Sequence, residues 1–100
     1  MANNNYKFKE DEKNYTLSLD LPGYRKEDID INADSKSLTI KAKREPINGK
    51  YILRERESSV SRKFNFYSLV DKDSITASYE KGILNVTLPK QNTVKQISLN

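Results

Sequence analysis

Apolar and polar residues alternate along most of the chain, and this period of two is typical of β-strands that bury one face. Six segments show the alternation: residues 15–21, 29–31, 38–42, 64–66, 75–79 and 84–88. Residues typical of turns separate them, most clearly Pro22-Gly23, the stretch 34–37 and the stretch 80–82. The pattern therefore predicts an all-β protein, either a sandwich or a barrel, in a chain whose 100 residues suffice for one domain.

Two segments depart from this pattern. Residues 51–57 begin apolar and continue with charges of alternating sign, which indicates either a helical turn or a strand that pairs outside the domain. The polar tail after Pro89 holds the isolated apolar pair Ile97 and Leu99 on one face of an extended segment. Such a pair suits docking on a sheet edge, and a final strand of the domain's own sheet is an equally good interpretation.

The composition excludes several chemistries. The chain has no cysteine and no histidine, so it has no disulfide, no Ser-His-Asp or Cys-His catalytic group and no ordinary zinc, haem or copper site. No apolar run approaches the roughly 20 residues of a membrane span. The polar start Met1-Ala2-Asn3-Asn4-Asn5 lacks the apolar stretch of a signal peptide. We expect a cytoplasmic protein without a cofactor.

The charges give only a weak indication of function. The net charge is +4, but both signs are interleaved along the chain, which is typical of a solvated surface. The six tyrosines are scattered rather than gathered on one strand face, so single-stranded nucleic-acid binding is not favoured. Neighbouring acids such as Asp71 and Asp73 lie on a polar loop, whereas a glycosidase needs two carboxylates that face a cleft. We expect neither an enzyme nor a nucleic-acid binder.

The most specific motif runs from Ala77 to Pro89. It has an alanine, a glycine followed by two aliphatic residues, an alternating strand and a Leu-Pro ending. Asp20-Leu21-Pro22-Gly23 and Arg62-Lys63-Phe64 precede it in the matching order. With these motifs the chain resembles the α-crystallin domain of the small heat shock proteins of the bacterial and plant branch, over about residues 6–89. The tail's Ile97-Ser98-Leu99 is similar to that family's C-terminal Ile-x-Ile/Val motif.

This resemblance implies an immunoglobulin-like antiparallel β-sandwich at 6–89. A strand-exchange loop would span about 44–58, after a polar stub at 1–5 and before a flexible tail at 90–100. It implies an ATP-independent chaperone, or holdase, that binds unfolding proteins, works as a strand-exchanged homodimer and assembles further through its tail. Family members usually carry a longer apolar-rich segment before the domain, where this chain has its short polar stub. The alternative is a co-chaperone or adaptor of the p23/CS type, which has the same sandwich but docks on one folded partner.

The resemblance also implies two sets of site residues. The dimer interface comprises Tyr51, Ile52, Leu53, Arg54, Glu55, Arg56, Glu57 and Arg62. Within it, Arg62 would pair with Glu55 or Glu57 of the second subunit, and the alternative is a solvated surface charge. A groove lined by Ile29, Ile31, Ile75 and Ala77 would receive the tail motif of Ile97 and Leu99, and for these four residues the alternative is ordinary core packing.

Overall fold

The computed structural model describes residues 5–44, 58–92 and 97–100. These residues form two antiparallel sheets, one with the strand order β1-β2-β7-β6 and the other with the order β3-β4-β5. The strands are β1 Tyr6–Glu10, β2 Asn14–Asp20, β3 Ile29–Ala33, β4 Ser37–Arg44, β5 Ser58–Asn65, β6 Thr76–Glu80 and β7 Ile83–Pro89. Short 3-10 turns at Lys26–Asp28 and Lys72–Ser74 precede β3 and β6. The predicted all-β sandwich is confirmed.

The core lies between the sheets and is built by the alternation seen in the sequence. On β2 the side chains of Leu17 and Leu19 are buried while that of Thr16 between Tyr15 and Leu17 is exposed. Leu17 pairs in register with Val86 of β7, and the opposite sheet supplies Ile40. Full burial of one such aliphatic side chain stabilises the fold by about 1.5–3 kcal/mol. The inner faces of three strands therefore supply most of the core.

Strand β1 is absent from the six segments that the alternation predicts. Tyr6 and Phe8 do alternate with Lys7 and Lys9, but the strand has only five residues, and all except Phe8 are exposed. Phe8 stacks on Tyr15 with 5.5 Å between ring centroids. Five rings at this side of the sandwich join β1 to β5, and we call them the aromatic seam: Tyr6, Phe8, Tyr15, Phe64 and Phe66.

The β3–β4 turn is closed by the carboxylate of Asp34. One of its oxygens, Oδ1, accepts hydrogen bonds from the backbone N–H groups of Lys36 and Ser37, each at 2.8 Å. These hydrogen bonds favour the ionised form and lower the pKa of Asp34 below its ordinary 3.8. Asp11 does the same in the β1–β2 turn, where it accepts from the N–H groups of Lys13 and Asn14 and its pKa is also lowered.

The β6–β7 hairpin has a two-residue loop made of Lys81 and Gly82. Both residues have positive φ, 51° and 80°, as a type I′ turn requires. The carbonyl oxygen of Gly82 accepts a hydrogen bond of 2.7 Å from the N–H of Leu21. The hairpin is therefore tied to the chain segment that follows β2.

Candidate functional site

A shallow apolar groove lies between the neighbouring edges of the two sheets, β3 and β6. It encloses about 220 Å³ and is lined by Lys26, Ile29, Ile31, Ala77, Ser78, Tyr79 and Leu84. We call it the β3–β6 groove. Ile29 and Ile31 are half-buried and Ala77 is exposed, so apolar surface faces water here. Because β3 and β6 each end a sheet of the described residues, backbone hydrogen-bonding groups also face this groove.

Three of the four residues expected in a tail-binding groove are brought together here. Ile29, Ile31 and Ala77 line the same cavity. Ile75 precedes β6, one residue before the strand begins, and packs half-buried against the core rather than lining the cavity. Whether the groove binds the tail stays a prediction.

Tyr79 and Leu84 line the groove as well, although the sequence did not single them out. Tyr79 lies two positions after Ala77 on β6, so both point to the same face of the strand, and this spacing was the available signal. Its hydroxyl lies 2.5 Å from the carbonyl oxygen of Leu21 and 2.8 Å from that of Tyr24. The hydroxyl has one proton to donate to this pair of acceptors. Tyr79 thereby holds the loop after β2 against the wall of the groove.

Arg62 lies on β5, directly opposite Ile40 of β4, and therefore on the inner face of its sheet. Its Nε is buried and has no hydrogen-bond partner among the described residues. A buried donor without a partner is destabilising by about 1–3 kcal/mol, so such groups are rare in folded proteins. The expected partners Glu55 and Glu57 lie outside the described residues, as does the whole segment 51–57, so the interface role of these residues stays a prediction.

The described tail residues 97–100 belong to neither sheet. Ile97 is 77% exposed and Leu99 is 95% exposed, so neither side chain is covered in this chain. Residues 97–100 therefore do not form a last strand of the domain's own sheet in this structure.

The described part of the chain shows no metal centre, because no three acidic, histidine or cysteine side chains come together in it. It also contains no helix that is long and apolar enough to cross a membrane.

The model of the Hsp20/alpha crystallin family matches residues 7–100. The chain belongs to this family. The resemblance found in the sequence motifs is confirmed, and the match covers the groove, Arg62 and the tail motif together.

Relatives within the Hsp20/alpha crystallin family agree with this assignment. The chain is 37% identical over 89 residues to an 18 kDa heat shock protein of Clostridium acetobutylicum, an alignment with 83% of this chain and 59% of that protein. It is 40% identical over 91 residues to small heat shock protein C2 of Rickettsia felis, with 86% and 59% covered. The chain thus spans about three fifths of the length of these relatives.

Solved structures show the same fold. The heat shock protein 16.0 of Schizosaccharomyces pombe superposes with a TM-score of 0.72 at 28% identity, with each chain fully covered. A small heat-shock protein of Xylella fastidiosa, described as having a distinct high order structure, gives a TM-score of 0.74 at 28% identity. That alignment covers 99% of this Hsp20/alpha crystallin chain and 97% of the other.

Proposed function

We propose that this chain is the domain of an ATP-independent chaperone, a holdase that binds unfolding proteins and suppresses their aggregation. The observation that carries the proposal is the β3–β6 groove, where Ile31 and Ala77 face water beside two sheet edges in a member of the Hsp20/alpha crystallin family. An unfolding protein exposes extended apolar segments, and such a segment can pair with a sheet edge while its side chains enter the groove.

Binding of this kind is weak enough to be reversible. Each aliphatic side chain that becomes fully buried contributes roughly 1.5–3 kcal/mol before ordering costs are subtracted. Two side chains two residues apart, such as Ile97 and Leu99, fit the same scheme because they point to one face of an extended segment. We therefore assign the groove to the tail of another copy, with unfolding proteins as competitors. Many copies together supply avidity.

The same proposal includes a strand-exchanged homodimer. Strand β1 ends its sheet among the described strands, and the segment 51–57 of a second copy would pair with that free edge. The buried, unpartnered Nε of Arg62 supports an interface near β5, because a carboxylate such as that of Glu55 or Glu57 from the second copy would satisfy it.

The test is light scattering from a heat-aggregating protein mixed with this chain in the absence of nucleotide. Two variants on neighbouring exposed positions of β6 form a matched pair, with Ala77→Glu in the groove and Thr76→Glu on the opposite face. We expect suppression at near-stoichiometric ratios by the unchanged chain and by Thr76→Glu, and strongly reduced suppression by Ala77→Glu. Circular dichroism shows whether both variants are folded.

Two results would contradict the proposal in different ways. Equal suppression by both variants would remove the groove from the binding surface. Failure of the folded, unchanged chain to suppress aggregation would favour the p23/CS-type alternative, a module for one folded partner. In that case the chain should also be a monomer in sedimentation velocity.

A further inference from the structure

The first residues after β7 are held firmly on both sides. The N–H of Lys90 donates to the carbonyl oxygen of Lys13 at 2.8 Å, which extends the β2–β7 pairing past its last partners Asn14 and Pro89. On the other side Lys90 forms a β-bridge with Val70. The N–H of Gln91 donates to the carbonyl oxygen of Leu69 at 2.8 Å. The main chain therefore continues the line of β7 as far as Gln91.

The Lys90 side chain anchors this segment to the β1–β2 turn. Its Nζ donates to Glu10 Oε2 at 2.6 Å and to the carbonyl oxygen of Asp11 at 2.7 Å, and it lies 5.1 Å from the ring centroid of Tyr15. The side chain is 15% exposed, against 57% for Lys72, whose ion pair with Asp73 is at the surface. A partly desolvated ammonium group with charged, polar and aromatic partners is held far more firmly than an exposed one.

Gln91 adds a second anchor, since its Nε2 donates to the carbonyl oxygen of Val70 at 3.3 Å. Val70 is fully buried in the core. We call Lys90 and Gln91 with these partners the tail clamp. The clamp lies beside a wide cavity of about 830 Å³ between the β1–β2 turn and the residues before Val70.

The clamp limits where the tail can go. The centre of the β3–β6 groove lies near Ser78, which pairs with Asn85 of β7. From Gln91 back to the level of Asn85 is about 20 Å along the strand. From Gln91 forward to Ser98, the centre of the Ile97-Ser98-Leu99 motif, the fully extended chain spans about 23–25 Å.

A tail returning to its own groove must also reverse direction. A two-residue turn uses about 7 Å of that reach, which leaves about 16–18 Å for a return of about 20 Å. If the chain pivots instead at Pro89, it has about 23–25 Å left after the turn for a return of about 13 Å. Whether Lys90 and Gln91 are held in place or free to move thus decides whether the tail is long enough to reach the groove of its own subunit.

We propose that Lys90 and Gln91 are positioning residues that shorten the reach of the tail and so direct it to the groove of a second copy. This inference rests on the proposed docking of the tail in the groove. With the clamp closed, the reach of the tail falls a few ångströms short of the groove in its own subunit. With the clamp open, docking within the same subunit competes with docking between subunits, because the tail's own groove is at the higher effective concentration.

The absence of cysteine from the chain makes a disulfide test clean. A chain with Lys26→Cys in the groove and Asn100→Cys in the tail is mixed with an excess of the cysteine-free chain and oxidised. A disulfide then forms within one chain only if the tail docks in its own groove. A mixture of the two single-cysteine chains reports docking between subunits. Each single-cysteine chain alone controls for pairs of identical sites.

We expect a cross-link between subunits, and little within a subunit, when the clamp is intact. Lys90→Met keeps the aliphatic stem and removes the ammonium group, and it should raise the intrachain fraction several-fold, more so when combined with Gln91→Ala. Glu10→Gln should also raise the intrachain fraction. Lys90→Arg keeps the positive charge, so its intrachain fraction should stay as low as that of the unchanged chain. Lys72→Met is the matched control for loss of a lysine, and it should leave the fraction unchanged.

The outcomes separate the clamp from the docking itself. An intrachain fraction unchanged in Lys90→Met, with the cross-link between subunits present, would overturn the clamp and leave tail docking intact. An equal rise of the intrachain fraction in Lys72→Met would mean that loss of any lysine charge causes the rise, and it would also overturn the clamp. Absence of both cross-links in the folded chain would overturn tail docking and, with it, the clamp.

Discussion

Asp34 stabilises the β3–β4 turn only while its carboxyl group is ionised. Because the folded-state pKa lies below the ordinary 3.8, this contribution is complete above that pH. It declines as the pH falls below 3.8 and is gone below the lowered folded-state pKa. Protonation thus removes the advantage of the carboxylate as acceptor for the N–H groups of Lys36 and Ser37.

Substitution of Asp34 should reveal this pH dependence. Asp34→Ala should lower the melting temperature at pH 7, and the difference from the unchanged chain should shrink as the pH falls through the window below 3.8. Asp34→Asn keeps a side-chain oxygen as acceptor but does not titrate, so it should stay close to the unchanged chain at pH 7. Thermal unfolding from pH 7 to pH 2 is the measurement. A constant difference for Asp34→Ala across this range would contradict the argument.

The hydroxyl of Tyr79 should matter for stability and that of Tyr67 should not. Tyr79→Phe keeps the ring in the groove but leaves the carbonyl oxygens of Leu21 and Tyr24 without this donor. We expect a loss of about 0.5–1.5 kcal/mol in the free energy of unfolding, measured by urea denaturation. Tyr67 is 99% exposed, so Tyr67→Phe is the matched control. Equal changes in the free energy of unfolding of the two variants would show that the Tyr79 hydroxyl does not stabilise the loop after β2.

At the scale of the elements, the β6–β7 hairpin has one loop residue, Lys81, that does not suit its backbone conformation. Lys81 has φ of 51°, a conformation that asparagine adopts more easily than lysine. A β-carbon at Gly82 would lie 3.3 Å from the backbone of Pro22, and φ of 80° is itself unfavourable for any residue with a side chain. The loop therefore tolerates change at one position and not at the other.

Two substitutions in this hairpin should act in opposite directions. Lys81→Asn should raise the free energy of unfolding by a few tenths to about 1 kcal/mol, since Asn-Gly suits a type I′ turn. Gly82→Ala should lower it by about 1 kcal/mol or more. Chemical denaturation of both variants gives the comparison. Stabilisation by Gly82→Ala would mean that the turn adopts another conformation.

Strands are predictable from this sequence where one face is deeply buried. The segments around Leu19, Ile40 and Val86 alternate cleanly because their inner side chains are almost completely buried. Strand β1 is missed because it is short and mostly exposed, and its one well-covered residue is Phe8. For the groove, alternation finds Ala77 but not the role of Leu84, which depends on how two separate sheets approach each other.

At the scale of the whole molecule, the sandwich has two open sides of different character. The side of the β3–β6 groove offers small aliphatic side chains, whereas the side of β1 and β5 has the aromatic seam and Arg62. Sequence motifs alone indicated both sides, but only through resemblance to a family. The alternation of apolar and polar residues in one chain does not indicate which segments would pair between copies. The burial of Arg62 Nε is evident only from the three-dimensional structure.

Arg62 should be more important for the proposed dimer than for the fold. Arg62→Met removes the unpartnered buried donor and keeps aliphatic volume, so the subunit's own stability should be unchanged or higher. In the proposed dimer, loss of the proposed charge-assisted hydrogen bond of Arg62 should raise the dissociation constant about 10- to 100-fold. Sedimentation velocity over a dilution series measures this constant.

Lys63→Met provides the control, because Lys63 is exposed on the adjacent position and the opposite face of β5. It should leave the dissociation constant near that of the unchanged chain. If Arg62→Met dissociates at the same concentration as Lys63→Met, then Arg62 lies outside the interface.

The aromatic seam has an optical consequence. Its rings are tyrosine and phenylalanine, and the whole chain lacks tryptophan. Near-ultraviolet dichroism of this chain comes from all its tyrosines and phenylalanines, those of the seam among them, and reports without any label whether the sandwich remains packed. Fluorescence excited where tryptophan alone absorbs comes only from an added substrate protein. The unfolding of that protein can thus be followed through its own emission while this chain is present.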